Sequence, residues 1–166
     1  MQDCVENLPW EQSRVRVYGQ EHPIPRLEAW LGDVGVRYGY SGQTRIMNGW
    51  PAHWQPLLNA VGQQANSDFN FALANWYRNG ADRMGWHADN EAELGRNPTV
   101  ATLSFGDARD FRLRRNDNHR ETLTVTLNPG DLLVMSGAMQ HHWQHSLPAR
   151  AKAEDRISLT FRRVMA

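Results

Sequence analysis

Arg156-Ile157-Ser158-Leu159-Thr160-Phe161-Arg162 is the stretch on which the fold turns. In an extended chain Ile157, Leu159 and Phe161 fall on one face and Arg156, Ser158, Thr160 and Arg162 on the other. The apolar set is core; the polar set lines a cavity or faces water. Working back from it, residues 71–77, 99–105, 111–115, 122–127 and 131–135 are also short, rich in β-branched and aromatic residues, and separated by turn residues. Asn128-Pro129-Gly130-Asp131 is one such turn. The final strand is expected over 157–164. Upstream, residues 14–18 alternate and run into Gly19, a strand-and-turn pattern. His22-Pro23-Ile24-Pro25 cannot be regular helix, and 57–65 reads as a short helix after Pro56. Short strands in series predict a mainly β chain of the α+β kind, a sandwich or jelly roll with a helical and irregular N-terminal part packed outside.

The 166 residues suit one domain with a sizeable core. Apolar residues are 40% and charged residues 22%, ordinary for a globular chain, and no apolar run approaches the length of a membrane span. Residues 1–10 carry acids and no apolar h-region, so no signal peptide is expected there. Cys4 is the only cysteine, which excludes an internal disulfide and a cysteine zinc cluster and fits a reducing cytoplasm. Net charge is zero, with 18 basic and 18 acidic side chains, yet Lys152 is the only lysine. Arginine pairs bidentately with carboxylate and phosphate and stacks on bases; a GC-rich coding bias would give the same composition.

His87-Ala88-Asp89 carries chemistry at short spacing. On an extended segment residues two apart point the same way, so both can bind one ion. With a distant histidine they would form a 2-His-1-carboxylate set with open coordination positions. His141, His142 and His145 all fall in the loop expected after the 131–135 strand, and spacing alone does not choose among them; a zinc hydrolase would accept the same set. Arg156 and Arg162 lie six residues apart, roughly 20 Å along a strand at about 3.3 Å per residue. Leaning inward, they can clamp a short dicarboxylate from opposite ends; an edge strand with solvated arginines would show the same pattern.

Five motifs, in order, resemble the AlkB family of Fe(II)- and 2-oxoglutarate-dependent nucleic-acid dealkylating dioxygenases, in the branch with the human homologues 2 and 3. They are Asn75-x-Tyr77, His87-x-Asp89-x-Glu91, Ala101-Thr102-Leu103-Ser104-Phe105-Gly106, Trp143-Gln144-His145-Ser146-Leu147-Pro148 and the final Arg156–Arg162 run. The resemblance extends from about Leu8 to Val164. It implies a double-stranded β-helix, or jelly roll, at about 69–166, preceded at about 1–68 by a helix and a nucleotide-recognition lid, all one domain. It implies Fe(II) on His87, Asp89 and His145, since the family's third ligand stands three residues before the proline. It also implies 2-oxoglutarate held by Asn75, Tyr77, Arg156, Ser158, Thr160 and Arg162, with Arg156 on the distal carboxylate and Arg162 near the metal end, and O2 as oxidant. Many members carry Asn where this chain has Ser158, which predicts altered co-substrate affinity. The chain also begins partway into the family's first helix, as though trimmed.

For the substrate, the resemblance implies alkylated DNA, single- or double-stranded, or RNA, with 1-methyladenine and 3-methylcytosine as bases. A base in a duplex must be flipped to be reached. Tyr18 of Val17-Tyr18-Gly19 matches an intercalating finger. Tyr40, beside Tyr38, matches the aromatic that stacks on the flipped base. Glu91, next to Asn90, matches the acid that reads the damaged base, whose positive charge suits a carboxylate. Arg112, with Arg114, Arg115 and Arg120, flanks a turn where phosphates can be met. A monomer in the cytoplasm, with no membrane partner, is expected. The rival readings are an RNA or tRNA demethylase, a protein or small-molecule oxygenase, and a binding module with a vestigial iron site.

Overall fold

The computed structural model describes residues 1–40 and 43–165, leaving aside the side chains of Val17, Tyr40 and Gln43. In chain order its elements are α1 (Gln2–Asn7), β1 (Arg14–Val17), β2 (Gln20–Pro23), β3 (Leu27–Gly32), β4 (Arg37–Tyr40), β5 (Gln43–Ile46), α2 (Gln55–Ala65), β6 (Phe71–Tyr77), β7 (Met84–His87), β8 (Val100–Gly106), β9 (Arg109–Arg115), β10 (Thr122–Leu127), β11 (Leu132–Met135), α3 (Met139–His142), β12 (Trp143–Leu147) and β13 (Arg156–Arg162). The major sheet runs β11-β8-β13-β6-β3 and the minor sheet β10-β9-β12-β7, antiparallel throughout, with β1-β2 and β4-β5 as separate ribbons. Two such sheets enclosing one cavity are a jelly roll.

β13 lies at the centre of the major sheet, between β6 and β8, and all seven of its residues are buried. Both faces are therefore covered, and the alternation sorts two kinds of interior. Ile157, Leu159 and Phe161 point outward into a core shared with Ala29, Leu31, Ala72 and Ala74 from neighbouring strands and Cys4, Leu8, Trp54 and Val61 from the N-terminal and helical segments. Burying each of the three large side chains contributes about 1.5–3 kcal/mol. Arg156, Ser158, Thr160 and Arg162 point between the sheets. Because paired residues share a face, the register Glu28↔Asn75↔Ser158↔Ser104 carries a polar row across the inner side. The edge-strand alternative does not hold. The strand also stops at Arg162 rather than running to 164, because the Asn70 side chain accepts from Val164 N and donates to its carbonyl, turning the chain.

Pro56 in the first turn of α2 costs no hydrogen bond there. The helix ends at Asn66, left-handed at φ 48°, with the Asn66 and Ser67 amides donating to Gln63 O and Gly62 O. The Tyr18-Gly19 turn joins β1 to β2 with φ 49° and 81°, the positive pair that two-residue hairpin turns use. Six strands were not expected: β2, β3, β4, β5, β7 and β12. β3 places part of the N-terminal region inside the major sheet, and β7 ends at His87. The loop expected to hold three histidines is instead a helical turn, α3, followed by β12. His141 and His142 lie on the first and His145 on the second.

Candidate functional site

His87 and His145 are direct partners across β7 and β12, with ring centroids 4.1 Å apart, and Asp89 follows two residues beyond β7. One ligand-capable atom from each of the three lies within 4.8 Å of the others. His87 Nδ1 is 2.9 Å from Gly85 O, which makes that nitrogen the proton carrier and leaves Nε2 free. Asp89 Oδ1 accepts from Arg162 Nη2 at 2.8 Å, and its backbone N–H donates to Gln140 Oε1 at 2.9 Å. Asp89 Oδ2 is buried without a hydrogen-bond partner, 3.8 Å from His145 Nε2. A buried carboxylate oxygen with no donor, facing two imidazole nitrogens, suits a divalent cation; this donor set with open positions suits Fe(II). His141 turns elsewhere, holding the Arg96 carbonyl and Asn97 Oδ1.

Burial would raise the Asp89 carboxyl, but Arg162 and the two histidines outweigh it and hold it at about 2. Burial and the neighbouring His87 push His145 down to about 3, so it is neutral, as a ligand must be. Arg162, though buried, is pushed up by Asp89, so the pair stays charged.

The same two histidines line a cavity between the sheets with Asn75, Tyr77, Arg156, Ser158, Thr160 and Arg162. Arg156, 1% exposed, donates to Ser104 Oγ at 2.8 Å and lies over the Tyr77 ring; its Nε has no partner. A buried guanidinium with spare donors suits a carboxylate at that end. Asn75 Oδ1 accepts from Arg26 Nε at 2.8 Å, and Arg26 is paired with Glu28 at 2.6 Å, all three buried. The Asn75 amide nitrogen is thereby left to face the cavity. Sequence reading missed Arg26, Glu28 and Gln140. The alternation of Leu27, Ala29 and Leu31 against Glu28 and Trp30 was a legible strand signal for the first two; nothing local marked Gln140.

The substrate residues divide. Tyr18 stands fully exposed at its hairpin tip. Glu91 is half-buried, with Oε2 unpartnered, and Asn90 is exposed. Tyr38 is 2% exposed, stacked on Phe71 at 4.6 Å, within a cluster that Trp30 flanks. Its phenol is pushed up by burial and by Glu91 and Asp89, against Arg162. The Tyr40 side chain lies outside the described residues. Arg112 is exposed on the outer face of β9, between the inward Phe111 and Leu113, and so points away from the cavity. Of the other arginines beside it, Arg114 is committed to Gln144 and lies over Trp86, and Arg115 is committed to Asp117.

Residues 1–162 match the family model described as the 2OG-Fe(II) oxygenase superfamily. The chain is 37% identical over 173 residues to the DNA oxidative demethylase ALKBH2 of Bos taurus, covering 97% of this chain and 61% of that protein. The Mus musculus ALKBH2 is also 37% identical, with 97% and 71% covered. The alpha-ketoglutarate-dependent dioxygenase alkB homolog 3 of Homo sapiens is 36% identical, with 99% and 60% covered. The chain thus spans about three fifths to seven tenths of these relatives. The fold matches the solved structure of OsALKBH1 with a TM-score of 0.65 at 16% identity, over 84% of this chain and 78% of that one. It matches a 2OG-Fe(II) oxygenase family oxidoreductase from Burkholderia pseudomallei with a TM-score of 0.60 at 17% identity, over 94% and 73%.

Proposed function

The chain belongs to the AlkB family of the 2OG-Fe(II) oxygenase superfamily, and from that premise we propose that it demethylates 1-methyladenine and 3-methylcytosine in DNA as a direct-reversal repair enzyme. The family's cofactors are Fe(II), 2-oxoglutarate and O2. The observation that carries the reading is the unpartnered Asp89 Oδ2 converging with His87 and His145, the two histidines lining a cavity that Arg156 also lines. In this reading His87, Asp89 and His145 hold the iron. Iron with 2-oxoglutarate and O2 supplies the oxidation that turns an N-methyl into a hydroxymethyl, which leaves as formaldehyde while the co-substrate becomes succinate and CO2.

The protein's own part is orientation and exclusion of water. Arg156 takes the distal carboxylate, with Tyr77 beneath it and Ser158 and Thr160 along the floor. Asn75, held by Arg26, donates a hydrogen bond from its amide. Arg162 keeps Asp89 ionised and directs one of its oxygens to the metal. Glu91 receives the cationic base, which Tyr40 and Asn90 frame, while Tyr38, buried against Phe71, supports the pocket from the core. Tyr18 fills the space a flipped base leaves, since an aromatic plug stacks on any base. Arg112, on the outer face, is left with phosphate contact outside the pocket.

The test is formaldehyde release and product mass on oligonucleotides carrying either lesion, single- or double-stranded DNA or RNA, with Fe(II), 2-oxoglutarate and ascorbate. Demethylation of DNA requiring both cofactors supports the proposal. Activity confined to RNA would transfer the substrate, and a fully active Asp89→Ala enzyme would remove the site.

A further inference from the structure

The carboxylate at Asp89 is fixed from two sides, and one side is supplied by a residue outside the reaction chemistry. Gln140 is 1% exposed and lies in the single turn of α3. Its Oε1 accepts from Asp89 N–H at 2.9 Å, and its Nε2 donates to Met135 Sδ at 3.7 Å. The amide's orientation follows from chemistry: the Asp89 N–H needs an acceptor, and a thioether can only accept. The next residue, His141, holds the Arg96 carbonyl and Asn97 Oδ1. Two consecutive side chains of one short turn therefore grip both ends of the segment from Asp89 to Asn97. The strand that follows this turn carries His145.

The geometry points to Gln140 as a positioning residue for the metal carboxylate. It anchors the Asp89 backbone so that Oδ1 meets Arg162 while Oδ2 is left facing the two imidazoles. The inference rests on reading His87, Asp89 and His145 as the iron site. Without the acceptor, a buried N–H is left unsatisfied and the Asp89 peptide shifts to find another partner. Carboxylate ligands are aimed by such outer contacts, whose loss weakens metal affinity.

Mn(II) serves as a redox-stable probe, its free ion counted by electron paramagnetic resonance in the presence of 2-oxoglutarate. The full chain is compared with Gln140→Met, which keeps the volume and removes the acceptor, and Gln140→Asn, whose amide is too short to reach. Val61→Ala is the control, a core change on the far side of the major sheet. Both Gln140 variants are expected to bind Mn(II) about 10–100-fold more weakly, with faster amide exchange at Asp89, while Val61→Ala binds like the parent. Undiminished affinity in a folded Gln140 variant overturns the inference, as does an equal loss in Val61→Ala, which would make the effect one of stability alone. If Gln140→Met does not fold, Gln140→Asn decides. Asp89→Ala separates the two layers: unchanged Mn(II) affinity there refutes the iron site itself, whereas its loss beside an unaffected Gln140 variant refutes only the positioning role.

Discussion

Arg162→Met tests whether the buried ion pair behind the metal cluster holds the fold as well as the site. The side chains of Arg162 and Asp89 are 5% and 3% exposed, joined at 2.8 Å. Methionine keeps much of the apolar stem but removes the one donor to Asp89 Oδ1 among the described residues, while Oδ2 already has none there. Breaking a buried pair by deleting one partner costs about 3–5 kcal/mol, because the other charge stays buried and uncompensated. Set against a total stability of about 5–15 kcal/mol, that is a large loss. In urea, followed by tryptophan fluorescence at pH 7 with chelator present, the midpoint should fall by on the order of 2 M. The deficit should shrink at acid pH, where the Asp89 carboxyl, no longer held low by the guanidinium, takes up a proton. In an Asp89→Asn background the same substitution should cost much less, since no charge is stranded. A loss under about 1 kcal/mol, well short of the expected range, or an equal loss in both backgrounds, would refute the reasoning.

Tyr18→Ala should leave the melting temperature unchanged, because the ring is fully exposed, and lower the ratio of double- to single-strand turnover by about 5- to 100-fold, the stacking of one base; an unchanged ratio removes the finger role. Asp3 is held at about 2 by hydrogen bonds from His53, Trp54 and Asn7. Its folded value is below the unfolded one, so its contribution to docking α1 is complete above about pH 4 and is lost as pH falls through about 2. Carbon NMR of the Asp3 carboxyl checks this, and an ordinary carboxylate midpoint would contradict it. Gly80→Ala would place a Cβ 2.0 Å from Arg150 O, whose own amide donates to Gly80 O. Separating those loops should cost about 1–3 kcal/mol, read as a fall in melting temperature; an unmoved melting temperature would mean that they slide apart freely.

The strands legible in the sequence were those whose two faces differ in kind. The strand reading at 71–77 matches β6 and that at 122–127 matches β10, and β13 was one residue short at its start. β7 and β12 were missed because each is four or five residues long and carries histidine and tryptophan on a mixed surface, with no clean alternation. β3 was missed although Leu27, Ala29 and Leu31 alternate with Glu28 and Trp30; what the chain does not show locally is the burial of Glu28, which depends on Arg26 and, through it, on Asn75, about 50 residues away. Arg112 illustrates the converse. Its neighbours Phe111 and Leu113 already fixed which way it would point, yet only the placement of β12 beside β9 shows that the inward face is the one bearing His145.

By itself the sequence determined the β-rich class, the identity of the residues that gather around one cavity, and the family, because strand periodicity and short motifs are local in the chain. The tertiary structure decided which atoms of those residues are occupied and which are free. Asp89 Oδ1 is occupied by Arg162 and its amide by Gln140, and Oδ2 remains; the Asn75 oxygen is occupied by Arg26 and its nitrogen remains. Those pairings join residues 49 to 73 positions apart. Hydrogen bonds between residues so distant are set by which strands pair and how the two sheets close on each other, and no pattern along the chain encodes that arrangement directly.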